Sequence, residues 1–185
     1  MKEKPKQRHL ADGREFVSQE ELHFYFWCAD ALAAEIVSAW SYQPRTFELA
    51  PRVTVPDTVQ MKTRVKTVER FLLNPCSYTP DFLLVPGPRW HLVGKSLYSA
   101  DGKGFWIDVK GKFGGQYGDD VKFSLLQKWL YDKWRIYVNK VIPVNFFEKT
   151  FVPGRAAIGK SGRERTCYLN CRTLPQLLNS EQGLF

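Results

Sequence analysis

No stretch of the 185-residue sequence approaches the ~18 consecutive apolar residues of a membrane-spanning helix. The polar, basic segment from Met1 to Leu10 has no apolar core of the secretory type behind it. The expectation is a protein with no membrane partner that stays in the cytoplasm. Cysteine is sparse: Cys28, Cys76, Cys167 and Cys171 are too few and too scattered for the disulfide framework of a small secreted domain, and they read as reduced thiols. Cys167 and Cys171 form a CxxxC pair, two corners of a zinc site, yet no second close pair of Cys or His follows them. His9, His23 and His91 show neither metal spacing nor a partner for nucleophilic catalysis, and read as surface or packing residues. Internal repeats and low-complexity tracts are absent as well.

What the sequence has in excess is positive charge. With 27 Lys and Arg against 19 Asp and Glu, the formal net charge is +8. Each cation set against a phosphate releases condensed counterions, so this balance biases the chain toward polyanions, nucleic acid first. A generic basic surface accounts for the charge equally well at this level. A hydrophobic fraction of 44% fills an ordinary core for one globular domain.

Ser18, followed by Gln19, Glu20 and Glu21, has the form of a capping box and predicts a helix running to about Trp40, with Leu22, Phe26, Ala29, Ala33 and Ile36 on its packing face. From Gln43 to Val55 the prolines and alternating Phe47, Leu49 and Val53 favour extended chain. The polar, basic stretch from Asp57 to Glu69 is either a strand pair or a surface insertion. Phe82, Leu83, Leu84 and Val85 read as a buried strand entered through Tyr78-Thr79-Pro80-Asp81. A turn at residues 100–104 opens a second strand, Phe105 to Gly111, in which Asp108 and Lys110 share one face and Ile107 and Val109 the other. Asp119 and Asp120 introduce a second helix carrying Phe123, Leu126, Leu130, Trp134 and Tyr137, and the chain turns extended near Val141 to Phe147. The order helix, strands, helix, strand predicts an α/β fold, a central mixed β-sheet flanked by helices. Residues 1–150 make the core with an insertion at 57–75, and residues 151–185 a basic C-terminal extension.

The chemistry gathers around Asp81, Asp108 and Lys110. Cutting a phosphodiester requires hydroxide near neutral pH and neutralisation of charge in the transition state, which a hard divalent cation provides. Asp81 and Asp108 on neighbouring strands supply two oxygen ligands, the Val109 carbonyl a third, and Lys110 stands ready to orient the attacking water. Asp81 as a turn-capping aspartate and Lys110 as a solvated strand-end lysine are the plain alternatives.

Pro80-Asp81 followed by Asp108-Val109-Lys110 resembles the PD-(D/E)xK nuclease superfamily. Asp12-Gly13, Phe16, Ser18, Glu21, Gln43-Pro44, Phe47 and Leu49 further resemble a branch of small phage-encoded endonuclease-like members, over about residues 10 to 140. The resemblance implies a restriction-endonuclease-like core and a divalent-metal-dependent endodeoxyribonuclease in a phage or bacterial host cell. Its Mg²⁺ or Mn²⁺ would be bound by Asp81 and Asp108 with Glu21 contributing, Lys110 would be the catalytic lysine, and the substrate would be DNA, branched or recombination intermediates included. Glu21 is also explained as the second half of the capping box. Gln127-x-x-x-Tyr131 is similar to the glutamine-tyrosine signature of helicase-linked members, and a polar helix face explains it as well. Lys112, Lys122 and Lys128 follow the site as phosphate contacts.

Two alternatives accompany this reading. Tyr78-Thr79-Pro80-Asp81-Phe82 after a Gln-Pro segment also resembles DNA-cleaving subunits of transposition machines, which need a partner protein. A nucleic-acid-binding module that keeps the fold without catalysis is the other. Cutting a four-way junction calls for two active sites, hence a homodimer.

Overall fold

The computed structural model of the chain describes residues 9–93, 97–111, 117–159 and 161–182. Two short strands, β1 (His9–Ala11) and β2 (Arg14–Phe16), pair antiparallel ahead of α1 (Gln19–Ala33). Ser18 begins that helix as expected: its backbone is extended, its Oγ accepts from the Glu21 N–H at 3.1 Å, and Glu20 and Glu21 place negative charge at the positive end of the helix dipole.

The helix ends at Ala33, well short of Trp40. The Ile36 N–H bonds to the Ala31 carbonyl at 2.9 Å and the Glu35 N–H to the Leu32 carbonyl at 3.1 Å, the paired bonds of a Schellman cap. Glu35 occupies the left-handed position at φ 59°, where glycine is the usual residue, so the stop carries no sequence signal. Glu35→Gly should therefore stabilise the chain by about 0.5–1 kcal/mol, read as a higher urea midpoint at unchanged slope. A lower midpoint would show that the Glu35 side chain contributes more than its backbone strain costs.

The packing face of α1 also differs from the expected one. Phe24, Trp27, Cys28 and Ala31, at i, i+3, i+4 and i+7, are fully buried, while Leu22 and Phe26 are only partly covered and Ala33 is exposed. The helix is apolar on two adjoining stripes, and the aromatic one wins because it buries more area: Trp27 stacks on Phe151 at 5.4 Å and Phe24 meets Phe82 edge-on at 5.0 Å.

After α1 come β3 (Val37–Tyr42), β4 (Phe47–Ala50), β5 (Val53–Gln60), β6 (Val65–Leu73), β7 (Cys76–Tyr78), β8 (Phe82–Pro86), β9 (Phe105–Val109), α2 (Tyr117–Trp134) and β10 (Val138–Val141). Four of these strands form a mixed sheet in the order β10-β9-β8-β3, with β10 parallel to β9 and the other neighbours antiparallel. The fold is mixed α/β with several sheets. β4 pairs with β7, and β5 pairs with β6 as a ribbon exposed along most of its length. Ile107, Val109, Phe82 and Leu84 join the main core with α1, whereas Trp106 and Val138 pack with Phe47, Leu49 and Leu130 against α2. Side-chain alternation along β9 thus distributes its residues between two clusters, as the sequence reading requires.

Three further expectations need correction. Val141 to Phe147 is not one extended segment: β10 ends at Val141 and Pro143, suited by its fixed φ to a first helical turn, starts α3 (Pro143–Lys149). In α2, Leu130 is buried but Trp134 is exposed, and Arg135 at φ 57° ends the helix before Tyr137. Residues beyond 150 are not an extension outside the core. Between α4 (Gly154–Ala157) and α5 (Leu174–Gln182) the chain is largely polar, yet Phe151, Val152, Ala156, Tyr168 and Leu177 belong to the same buried cluster as Trp27 and Ile107.

Candidate active site

The antiparallel register of β8 and β9 determines the site. Phe82 faces Ile107, and one residue beyond that pair lie Asp81 and Asp108. The Asp81 main chain is held from both sides: its N–H bonds to the Ile107 carbonyl at 2.9 Å and its carbonyl accepts from the Gln43 N–H at 2.7 Å. Its Oδ2 accepts from the Val109 N–H at 2.7 Å. Asp108 is buried. Its Oδ1 accepts from the Tyr78 hydroxyl at 2.8 Å, and its Oδ2 has Lys110 Nζ at 2.5 Å but no hydrogen bond of good angle. Lys110 is itself anchored by its N–H to the Val141 carbonyl at 2.8 Å, so β10 aligns the Asp-x-Lys segment.

Glu21 is held between the start of α1 and β3. Its Oε1 accepts from the Ser18 hydroxyl at 3.1 Å, not from the Ser18 N–H that a full capping box would use, while its Oε2 accepts from the Tyr42 hydroxyl at 2.8 Å and, more weakly, from the Val17 N–H at 3.4 Å. Its charge still reaches Asp81. Burial first, then the negative charges of Asp108 and Glu21, push the Asp81 carboxyl up to about 7, against the pull of the Val109 N–H and the Lys110 ammonium. Tyr42 and Tyr78 are pushed well above the ordinary phenol range by burial and by these same carboxylates, so both stay protonated as donors. Sequence reasoning missed the two tyrosines as site residues. Tyr78 stands three residues before Asp81, but nothing local pairs a tyrosine with a carboxylate on another strand.

Asp81, Asp108, Lys110 and Glu21 are thus brought together, with Val109 contributing its N–H to Asp81 and its side chain to the core. Lys122 and Lys128 are exposed on α2. Gln127 spends its amide on the Val138 carbonyl at 2.6 Å, a tie between α2 and β10, and Tyr131 is exposed beneath the Arg135 guanidinium. Lys112 lies outside the described residues. Cys167 and Cys171 are free thiols, and among the described residues no three His, Cys, Asp or Glu side chains converge into a metal cage. No helix among them is long and apolar enough to cross a membrane.

An acid whose folded pKa is raised stabilises the fold fully below its unfolded value, near 4, and loses that contribution as pH rises through about 7. In chelator, thermal melts of the unsubstituted chain should therefore fall between pH 5 and pH 8 by more than those of Asp81→Asn. His23 works in the opposite direction: burial, then the charges of Arg165 and His9, hold it at about 4, so it destabilises the fold as pH falls below about 6.5 in both chains. The difference between the two melts isolates Asp81, and parallel declines would remove the like-charge account of this site.

Compared with protein-family models, curated proteins and solved structures, the chain matches none.

Proposed function

We propose that the chain is a divalent-metal-dependent phosphodiester hydrolase. Within that class the reading is narrower: an endodeoxyribonuclease with a restriction-endonuclease-like core. The observation that carries it is the convergence of Asp81 and Asp108 on adjacent strands with Lys110 Nζ 2.5 Å from Asp108, under the influence of Glu21. The order α1, antiparallel β3, β8 and β9, then α2 and parallel β10 supports the core assignment.

The donor set fits Mg²⁺ or Mn²⁺. One carboxylate oxygen, Asp108 Oδ2, is buried without a hydrogen bond, and a neighbouring carboxyl has its pKa raised by like charge, a strain that a dication removes. With no three-side-chain cage among the described residues, the fit is to a cation held by few protein oxygens and keeping waters of its own. Asp81, Asp108 and the Val109 carbonyl would hold it, with Glu21 at the margin. When bound, such a cation would supply Lewis-acid stabilisation of the developing charge.

The remaining work falls to the protein. Tyr78 fixes the rotation of the Asp108 carboxylate through Oδ1, leaving Oδ2 for the reaction side. Lys110 stands on that oxygen, a positive charge already in the place where negative charge develops, and it orients the attacking water. The exposed Lys122 and Lys128 on α2 meet flanking phosphates.

The test is cleavage of labelled single strand, linear duplex, flap and four-way junction DNA with Mg²⁺, Mn²⁺ or EDTA. Cutting in either metal and none in EDTA is the expected result. Salt-sensitive binding without cutting would favour the binding module, and cutting that appears only with a partner protein would favour the subunit of a transposition machine.

A further inference from the structure

A half-open cleft of about 420 Å³ lies beside the candidate active site. Its lining includes Gly111, which follows Lys110 in the chain, and Gln19 and Glu20, which precede Glu21. Pro143 and Val144, at the start of α3, give an apolar side. Arg165 is the only cation among the described lining residues, on a segment tied down by its N–H to the Ala157 carbonyl at 2.7 Å. Its terminal nitrogens reach the Gln19 side-chain oxygen at 2.7 and 3.0 Å when that amide is turned to suit both partners, while its Nε is buried with no partner. No carboxylate among the described residues lies within ion-pair distance of the guanidinium. A buried, unsatisfied guanidinium N–H is costly unless a ligand meets it.

We propose that this cleft receives a single unpaired nucleotide adjoining the scissile phosphate, with Arg165 on its phosphate and its base against Pro143 and Val144. The assignment rests on the phosphodiesterase reading for its orientation and refines the substrate class to DNA with an unpaired nucleotide at the cut. The volume falls in the range of small-ligand sites, roughly 300–1,000 Å³, and a half-enclosed cleft admits a base only when that base has left the helical stack. The wall is mixed as a nucleotide requires: one cation, one amide, the acceptor oxygens of Glu20 and an apolar side. Cys167, exposed on the rim, reports occupancy.

The experiment uses the full chain carrying Asp108→Asn, so that DNA survives, with forked DNA and a fully paired duplex of the same sequence as probes. Alkylation of Cys167 is followed by mass spectrometry, and 2-aminopurine placed at the unpaired nucleotide reports its surroundings. Forked DNA should slow Cys167 alkylation severalfold and change the 2-aminopurine emission, while duplex does neither. Arg165→Met should weaken fork binding about tenfold and leave duplex binding unchanged. Cys167→Trp, a change at an exposed position that fills the mouth, should act in the same direction without touching the Gln19 contact. Equal protection by fork and duplex, protection by neither, or fork binding unaltered in both variants overturns the proposal. Fork-selective protection, together with no cleavage of any DNA by the unsubstituted chain in Mg²⁺ or Mn²⁺, would retain the cleft and overturn the phosphodiesterase reading instead, so the two fail separately.

Discussion

Asp108→Asn and Lys110→Met should each lower metal-dependent cleavage about 10³-fold, with the double variant hardly worse than either alone. The two side chains form one unit, an ammonium 2.5 Å from a buried carboxylate oxygen, and groups acting together in a transition state lose their effect together. Stability should move the other way for the first variant. Asp108 contributes to the crowding of negative charge that raises Asp81, and an amide in its place removes it while the Tyr78 hydroxyl still finds an oxygen. Single-turnover cleavage assays together with melts in chelator measure both halves. A Lys110→Met chain that cuts at a normal rate would refute the assignment of Lys110, and a multiplicative double variant would refute the idea of a shared step.

The largest effect on folding should come from Gly87→Ala, a loss of about 3–5 kcal/mol. A Cβ at position 87 would stand 2.3 Å from the Glu35 carbonyl oxygen and 3.0 Å from the Val37 carbonyl carbon, and both are main-chain atoms that cannot swing aside. The same junction is laced by the Gly87 N–H to the Ile36 carbonyl at 2.8 Å and the Arg89 N–H to the Glu35 carbonyl at 3.1 Å, so relieving the clash breaks the seam between the end of α1 and the end of β8. Gly13→Ala makes a useful contrast. Gly13 has φ 75° but nothing within 4 Å of a new Cβ, and the expected loss is the conformational penalty alone, about 1 kcal/mol. Guanidinium titration of the two variants separates close approach from backbone strain, and equal losses would refute the close-approach account.

What the sequence made legible was local. Phe82 to Val85 as a buried strand follows from an unbroken apolar run, Asp108 and Lys110 on one face of the next follow from period-two alternation, and neither needed knowledge of partners. Ser18 announced the start of α1 because the capping box is written in four consecutive residues. The end of α1 was hidden because Glu35 stands where glycine would have marked it. Its buried stripe was hidden because Phe24, Trp27 and Ala31 compete with Leu22, Phe26 and Ala29, and only a partner surface decides between them. The two tyrosines that hold Glu21 and Asp108 were hidden because their hydrogen bonds cross 21 and 30 residues of chain. The polar composition after residue 150 concealed a handful of deeply buried side chains.

Those side chains bear on how the protein is made. Trp27, near the beginning, stacks on Phe151, and His23 shares a hydrogen bond with Tyr168 across 145 residues. During translation α1 is complete long before either partner leaves the ribosome, so its aromatic stripe stays uncovered until Phe151 and Tyr168 have emerged. A nascent chain arrested near residue 150 would carry Asp81, Asp108 and Lys110, yet it would present Trp27 to solvent and to chaperones.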